Sequence, residues 1–191
     1  MPTLKVLDFR NNVITGITDF DFPNLDSLYL AGNKITSLVG IERCVNLRIL
    51  HVRANPIKLL NGFDEALTKL SYLNLRNCKV GTLIQVKKLR VLKGIETLIM
   101  KGCPFMGGTG REDGEPGPEE DDPQTRIEML AALPRLKRIN KDVVTPEERQ
   151  EAKDVMTQWL EEGDNDVEEE VAEEEVVVEG EQHEDLSNTE D

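Results

Sequence analysis

The sequence has few of the residues on which metal, membrane and disulfide-bonded proteins depend. Aromatic residues make up 4% of its 191 residues, and it has two histidines and three cysteines. His51 and His183 are far apart, and the cysteines lack the spacing of a metal site. No apolar run reaches the roughly 18 residues of a membrane-spanning helix, and the N-terminus lacks a signal-peptide core. We therefore expect no metal, no membrane association and reduced thiols in a cytosolic setting.

Signatures of catalysis are also missing. The Gly-Gly-Thr-Gly segment at residues 107–110 has no following lysine and no strand-to-helix context, so it is not a phosphate-binding loop. The sequence offers neither a nucleophile with a partner base nor a carboxylate pair in a predicted pocket. We expect a protein that is not an enzyme and that binds neither a cofactor nor a small-molecule substrate.

The net charge of −14 is unevenly distributed along the chain. Residues 161–191 contain sixteen acids without Lys or Arg, and residues 106–125 contain seven acids and one Arg, so the remainder carries +8. Both acidic segments have too few apolar side chains to offset the entropy lost on ordering. We therefore predict that residues 106–125 form a disordered Gly/Pro-rich acidic loop and residues 163–191 a disordered acidic tail.

One apolar pattern occurs five times in the part of the chain outside the two acidic segments. Its clearest copy, residues 70–83, reads L-S-Y-L-N-L-R-N-C-K-V-G-T-L, and the copies begin at residues 4, 25, 47, 70 and 95. Leu73 and Leu75, two residues apart, lie on the same face of a short strand. The ninth position is Asn in three copies and Cys in two, and these side chains can satisfy backbone groups where the chain leaves the strand. This spacing is the leucine-rich-repeat pattern.

The fold class follows from the repeats. Residues 1–105 are predicted to form five leucine-rich repeats in an α/β solenoid, a short curved right-handed coil with a parallel sheet on its concave side. Convex helices are expected at residues 63–70 and over Val86, Leu89 and Leu92 in the longer connection that ends at Gly94, with turns or 3₁₀ pieces in the earlier connections. The first repeat has no N-terminal cap, so we expect upstream repeats, a partner that covers this end, or a shorter paralogue.

Residues 126–162 are predicted to be a C-terminal cap that ends in an amphipathic helix. Thr145-Pro146-Glu147-Glu148 predicts the start of that helix, with Thr145 as N-cap and Glu148 completing a capping box. Trp159 lies on the apolar face of the helix. This face either packs on the last repeat or serves as an anchor for a partner helix.

Strand residues between the core leucines are predicted to face the concave side. One column consists of Arg10, Ala31, Arg53, Arg76 and Lys101. Because strands stack about 4.8 Å apart, this column forms a cationic stripe roughly 20 Å long. The predicted partner-binding residues are Arg10, Tyr29, Ile49, His51, Arg53, Tyr72, Asn74, Arg76, Ile99 and Lys101. A surface rich in Arg and aromatic residues suits recognition of another protein, here through an acidic or helical segment. The alternative is that these charges only keep an exposed sheet soluble.

Two further hypotheses concern this stripe. Arg and Lys could contact nucleic acid phosphates, but aromatics are few and the appended acidic segments oppose binding, so we expect no nucleic acid partner. The acidic tail could shield the stripe until a partner displaces it, a hypothesis that rests on the uneven charge alone.

Several segments resemble a known family. They are F-P-N-L-D-S-L-Y-L-A-G-N (22–33), L-S-Y-L-N-L-R-N-C-K-V (70–80), L-R-V-L-K-G-I-E-T-L (89–98) and L-P-R-L-K-R-I-N-K-D-V-V-T-P-E-E-R-Q-E-A (133–152). They resemble the phosphatase-regulator-type class of leucine-rich-repeat proteins, and within it the leucine-rich-repeat protein of the ciliary radial spoke. The resemblance covers about residues 4–160.

The resemblance implies a structural subunit of the axoneme, located at the third radial spoke and needed for flagellar motility. Its localisation would be cytoplasm, cytoskeleton and cilium or flagellum, and its partners other axonemal proteins. The alternative is an acidic leucine-rich nuclear protein that acts as a histone chaperone or phosphatase regulator. The tail of that family is longer and nearly pure Asp/Glu, whereas Val, Gly and His interrupt this one.

Overall fold

The computed structural model describes residues 3–163. The predicted acidic tail therefore lies outside the described residues, except for Gly163. The chain divides after Ala152 into two units, and the second is described here only as far as residue 163.

One sheet runs through the first unit. Its strands within the described residues are β1 (Val6–Asp8), β2 (Ser27–Tyr29), β3 (Ile49–His51), β4 (Tyr72–Asn74), β5 (Thr97–Ile99), β6 (Arg138–Ile139) and β7 (Asp142–Val143). β1 to β6 are parallel neighbours in chain order, and β7 folds back antiparallel to β6. One short strand per repeat in a continuous parallel sheet confirms the predicted α/β solenoid.

The core lies directly behind the sheet. The strand register aligns one apolar residue from each of the first six strands: Leu7, Leu28, Leu50, Leu73, Leu98 and Ile139. All of these except Leu7 have 0% exposure. Leu7 is half-buried because β1 is the edge strand of the described sheet, and the neighbouring Phe9 and Val13 are 39% and 79% exposed.

Asparagines hold successive coils together at the predicted position. Asn33 Nδ2 donates to the carbonyl oxygens of Phe9 and Leu30 at 3.0 and 2.8 Å, and its Oδ1 accepts from Ile14 N at 3.1 Å. Asn55 makes the equivalent three bonds one repeat later. Each side chain thus satisfies backbone groups of two coils that would otherwise be buried without partners.

Cysteines take over this position in the next two repeats. Cys78 Sγ donates to Val52 O at 3.3 Å, and Cys103 Sγ donates to Leu75 O at 3.0 Å. Burial raises the pKa of Cys78 to about 12 and raises that of Cys103 as well. The thiols therefore replace the asparagines as protonated, weaker donors.

The convex connections match the sequence prediction only in part. α1 (Leu83–Lys87), followed by a 3₁₀ helix over Lys88–Val91, forms in the predicted helical segment, and a second 3₁₀ helix covers Ile41–Arg43. The prediction of a helix at residues 63–70 was wrong, since that segment consists of consecutive turns. Asp64 is the cause: its side chain accepts from Ala66 N at 2.8 Å and its carbonyl from Leu67 N at 3.1 Å, which favours a turn over a helix.

The cap consists of α2 (Pro123–Ala132), the β6–β7 hairpin and α3 (Pro146–Glu161). The Asp122 side chain caps α2 by accepting from Thr125 N at 2.8 Å. The helix begins at Pro123, three residues before residue 126, where the cap was predicted to begin. The predicted capping box of α3 is confirmed: Glu148 N donates to Thr145 Oγ1 at 3.2 Å, and Thr145 N to Glu148 Oε2 at 2.9 Å.

Residues 106–122 differ most from the prediction of a disordered loop. They fold back along the concave face and form the segment that we name the acidic loop. Its first part packs tightly: Gly108 N and Gly110 N donate to the carbonyl oxygens of Cys103 and Gly102 at 3.0 and 2.8 Å. A Cβ at residue 108 would lie 2.2 Å from the Gly102 carbonyl oxygen, so this close approach requires glycine. Contacts with distant residues, which local composition does not reveal, give the loop its position.

Candidate functional site

The predicted concave columns form in the described structure. The strand register places Asp8, Tyr29, His51, Asn74 and Ile99 side by side, and it pairs Ile49 with Tyr72 in the neighbouring column. Beyond the strands, backbone bonds of 2.8 to 2.9 Å run from Asn11 to Ala31, Gly32 to Arg53, Ala54 to Arg76 and Asn77 to Lys101. These bonds align the cationic stripe, which is the row Arg10, Ala31, Arg53, Arg76 and Lys101. All ten predicted residues therefore lie on one face, and their role in binding stays a prediction.

The N-terminal end of this face is aromatic and locally charge-balanced. The rings of Tyr29 and His51 are 6.1 Å apart, and the Arg10 guanidinium lies 5.6 Å from the centre of the Tyr29 ring. Arg10 also binds both carboxylate oxygens of Asp8, through Nε at 2.9 Å and Nη2 at 2.7 Å. This hydrogen bonding lowers the pKa of Asp8. Arg10 therefore forms an ion pair with Asp8 within the folded chain.

His51 lies at the centre of the face, in surroundings that disfavour its protonated form. Asn74 Nδ2 lies 3.0 Å from His51 Nε2 and donates to it, while Asn74 Oδ1 accepts from Arg76 N at 3.0 Å. Burial lowers the pKa of His51, and the nearby charges of Arg53 and Arg10 lower it further. With Nε2 as acceptor, the ring proton is on Nδ1, which is buried and has no hydrogen-bond partner.

The acidic loop supplies anionic partners to the C-terminal end of the stripe. The Glu112 carboxylate forms an ion pair with Arg53 and accepts from Asn77 Nδ2 at 3.2 Å. Lys101 Nζ donates to the Glu119 carbonyl oxygen at 2.5 Å and lies 3.6 Å from Asp121 Oδ1. The hydrogen bond from Arg53 is the main cause that lowers the pKa of Glu112, and the charge of Arg76 contributes to the same shift.

A buried cluster anchors the end of the loop to the cap. Asp121 Oδ2 accepts from Arg126 Nη1 at 3.2 Å and from Asn140 Nδ2 at 2.9 Å, and Arg126 Nε donates to Glu148 Oε1 at 2.7 Å. The Asp121 and Arg126 side chains are only 7% and 8% exposed. This cluster is not among the residues predicted from the sequence. The one available signal was Arg126 beside the apolar Ile127, because a charge in a buried segment requires an ionic partner.

Clefts lie beside the acidic loop on the concave face. One of about 550 Å³ lies between the stripe and the cap and is lined by Arg76, Ile99, Lys101 and Asp121 among others. Another of about 560 Å³ lies between the stripe and the loop and includes Arg53, Asn77 and Glu112 in its lining. Both are lined mainly by charged and amide side chains, which suits hydrogen bonding to a polar peptide.

Within residues 3–163, no group of three His, Cys, Asp or Glu side chains is placed to hold a metal ion. In this same part of the chain, none of the helices combines the length and the apolar character needed to cross a bilayer.

A parallel sheet with one strand per coil and an Asn/Cys ladder define a leucine-rich-repeat fold. A family model described as "Leucine Rich repeats (2 copies)" matches residues 2–43 and 23–65. The matching chain in the crystal structure of the Drosophila melanogaster SNF/U2A' complex has a TM-score of 0.63 and 20% identity, covering 82% of this chain and 87% of its own. That likeness supports the fold.

Among curated proteins, the chain is similar to leucine-rich repeat-containing protein 23. The Xenopus tropicalis protein is 38% identical over 118 residues, which covers 62% of this chain and 30% of that protein. The Homo sapiens protein is 33% identical over 185 residues, which covers 84% of this chain and 50% of that protein. Acidic leucine-rich nuclear phosphoprotein 32 family member A of Drosophila melanogaster is 32% identical over 95 residues, which covers 50% of this chain and 36% of that protein. The chain spans half or less of the length of these relatives.

Proposed function

We propose that this chain is a non-enzymatic interaction scaffold that binds an acidic segment of another protein on its concave face. One observation carries the proposal: an acidic peptide segment, the chain's own loop, already lies against the stripe and pairs with Arg53 and Lys101. A face that binds carboxylate and carbonyl oxygens in cis has the donors needed to bind them in trans. Half-buried Tyr29 and Tyr72 add the aromatic area typical of interaction sites.

We further propose that the partner is a structural protein of the ciliary axoneme, at the radial spoke. The support is the resemblance of the repeats and cap to the radial-spoke leucine-rich-repeat protein, together with 30% to 38% identity to leucine-rich repeat-containing protein 23. The corresponding localisation is the cytoskeleton of cilia or flagella.

Microscopy of the tagged chain in ciliated cells tests both parts of the proposal. We expect the wild-type chain to remain with the axoneme after detergent removes the membrane. The double variant Arg53→Ala/Arg76→Ala should be released, because it loses two donors of the face. The matched control is Lys34→Ala/Lys58→Ala, which removes the same charge from exposed lysines outside the concave columns. Retention of both variants would contradict a role for the concave face, and diffuse wild-type signal would contradict the axonemal role.

The similarity to the acidic nuclear phosphoprotein favours one second candidate, histone binding or phosphatase regulation. That function would depend on the acidic residues 161–191 rather than on the concave face. A histone pull-down with the full chain and with a chain truncated after residue 160 separates the two candidates. Histone capture that is lost on truncation would favour the nuclear function over the axonemal one.

A further inference from the structure

The acidic loop occupies part of the surface that the proposed function assigns to a partner. We propose that this loop is an internal competitor for the concave face, and that the partner is an extended acidic peptide segment that displaces the loop's middle part. This inference rests on the proposed function and adds to it the chemistry of the partner and a means of regulating access.

The two ends of the loop are firmly attached. At its start, Gly108 and Gly110 form backbone hydrogen bonds to the preceding turn, and Gly110 is buried. At its end, Asp121 is bound to Arg126 and Asn140 in the buried cluster. Because these contacts are shielded from water, breaking either end would leave polar groups buried without partners. The ends are therefore fixed points between which the middle can move.

The middle of the loop is held weakly. The Arg53 and Glu112 side chains are 38% and 47% exposed, and Lys101 is 30% exposed. Exposed ion pairs contribute little net free energy, since water competes for both charges and salt screens them. Residues 111–120 read R-E-D-G-E-P-G-P-E-E, and their only apolar side chains are the two prolines. The middle part can therefore leave the stripe without exposing any core.

An acidic partner has more of the face available than the loop uses. The loop pairs with Arg53, Asn77 and Lys101, whereas Arg10 at the other end pairs with Asp8. A longer segment could replace the Glu112 carboxylate at Arg53 and also cover half-buried Tyr29 and Ile49. Binding of such a segment replaces the few exposed contacts of the loop with a larger number of contacts between the partner and the concave face. The expected occupant is thus a peptide with carboxylates at one end and apolar side chains at the other.

Peptide binding tests this competition directly. The probe is a fluorescently labelled peptide with glutamates at one end and apolar residues at the other, with anisotropy measured at low and at high ionic strength. The proteins are the full chain, the full chain with residues 111–119 replaced by a Gly/Ser segment of equal length, and Glu112→Gln. The matched control is Asp113→Asn, because Asp113 is the adjacent acid and pairs with Arg111 rather than with the stripe. Both point variants change one exposed carboxylate to an amide.

We expect the loop-replaced chain to bind the peptide about three- to fivefold more tightly than wild type at low ionic strength, because no competing conformation has to open first. Glu112→Gln should bind about twofold more tightly, because it removes only the contact with Arg53 and leaves those with Lys101. Asp113→Asn should bind like wild type, and high ionic strength should reduce the difference. Equal affinity of the wild-type and loop-replaced chains would overturn the competition. If that equal binding is lost in Arg53→Ala/Arg76→Ala, the proposed function still stands.

Two other outcomes have separate meanings. Absence of peptide binding by every variant, the loop-replaced chain included, would overturn both the competition and an acidic partner for the concave face. A labelled oligouridine that binds the loop-replaced chain more tightly than the peptide would overturn the assignment of a protein partner and would indicate nucleic acid instead.

Discussion

Arg53 and Glu112 are 59 residues apart in the sequence, yet their side chains form an ion pair across the concave face. The pair joins the third repeat to a segment inserted between the fifth strand and the cap. As a result, the cationic stripe that the sequence predicts is partly neutralised within the folded chain itself. The net electrostatic field that a partner meets depends on whether this loop is in place.

The pKa of Glu112 reports whether the loop is in place. Arg53 lowers the pKa of this carboxyl from its ordinary value near 4.5, so folding favours the ionised form. The contact is therefore present above pH 4.5 and is lost as pH falls through the lowered folded pKa. We expect Arg53→Gln to return the Glu112 pKa toward its ordinary value in an NMR titration. Asp113, whose pKa Arg111 lowers, is the control and should titrate unchanged. An unchanged Glu112 titration would show that Arg53 does not hold the loop.

The asparagine ladder should contribute much of the stability of the coil. Asn55 is 1% exposed and makes three bonds to backbone groups of two repeats. Asn55→Ala leaves those groups buried without partners, and we expect it to destabilise the fold by about 3 kcal/mol in urea unfolding. Asn12→Ala is the control, because Asn12 holds the same position in the exposed first repeat and should cost under about 1 kcal/mol. Similar effects at both positions would contradict a burial-dependent role.

The three cysteines should be inert in the folded chain. All are buried, and burial raises the pKa of Cys78 to about 12, so almost no thiolate exists at neutral pH. A thiol reagent such as Ellman's reagent should label them only at the rate of unfolding. Ser37→Cys, which introduces a thiol at an exposed position, is the reactive control. Rapid labelling of Cys78 or Cys103 in the native wild-type chain would show that the ladder opens locally.

The repeats were predictable because each one repeats the same physical requirement. Leu28, Leu50 and Leu73 occur at equivalent positions in their copies, and each is fully buried. A pattern that recurs in five copies specifies strand, register and core together, which a single amphipathic segment cannot do. The concave columns, including the alignment of Arg53 with Arg76, follow from that register.

The acidic loop was not predictable from composition, because its position depends on residues remote in the sequence. Glu112 contacts residues 59 and 35 positions earlier, at Arg53 and Asn77. A count of acids and glycines within residues 106–125 contains none of that information. The turns at residues 63–70 were missed for the opposite reason: Asp64, taken as a favourable helix start, bonds locally to Ala66 and closes a turn instead.

The buried cluster under the loop should dominate the stability of the cap. Arg126 is bound by Asp121 and Glu148 with little exposure to water, so Arg126→Gln leaves two acids near each other without their cation. We expect a loss of about 3 kcal/mol in urea unfolding for this variant. Arg111→Gln removes an exposed pair with Asp113 and should change stability by less than about 1 kcal/mol.

The same cluster should make stability fall in acid. The hydrogen bond from Arg126 lowers the pKa of Glu148 below its ordinary value near 4.5, so the unfolded chain binds the proton first as pH decreases. The stabilisation by Glu148 is fully present above pH 4.5 and is lost as pH falls through the folded pKa. Urea midpoints measured from pH 6 to pH 3 should therefore decline more for wild type than for Arg126→Gln, which has already lost the pair. Parallel declines in the two proteins would place the acid sensitivity elsewhere in the chain.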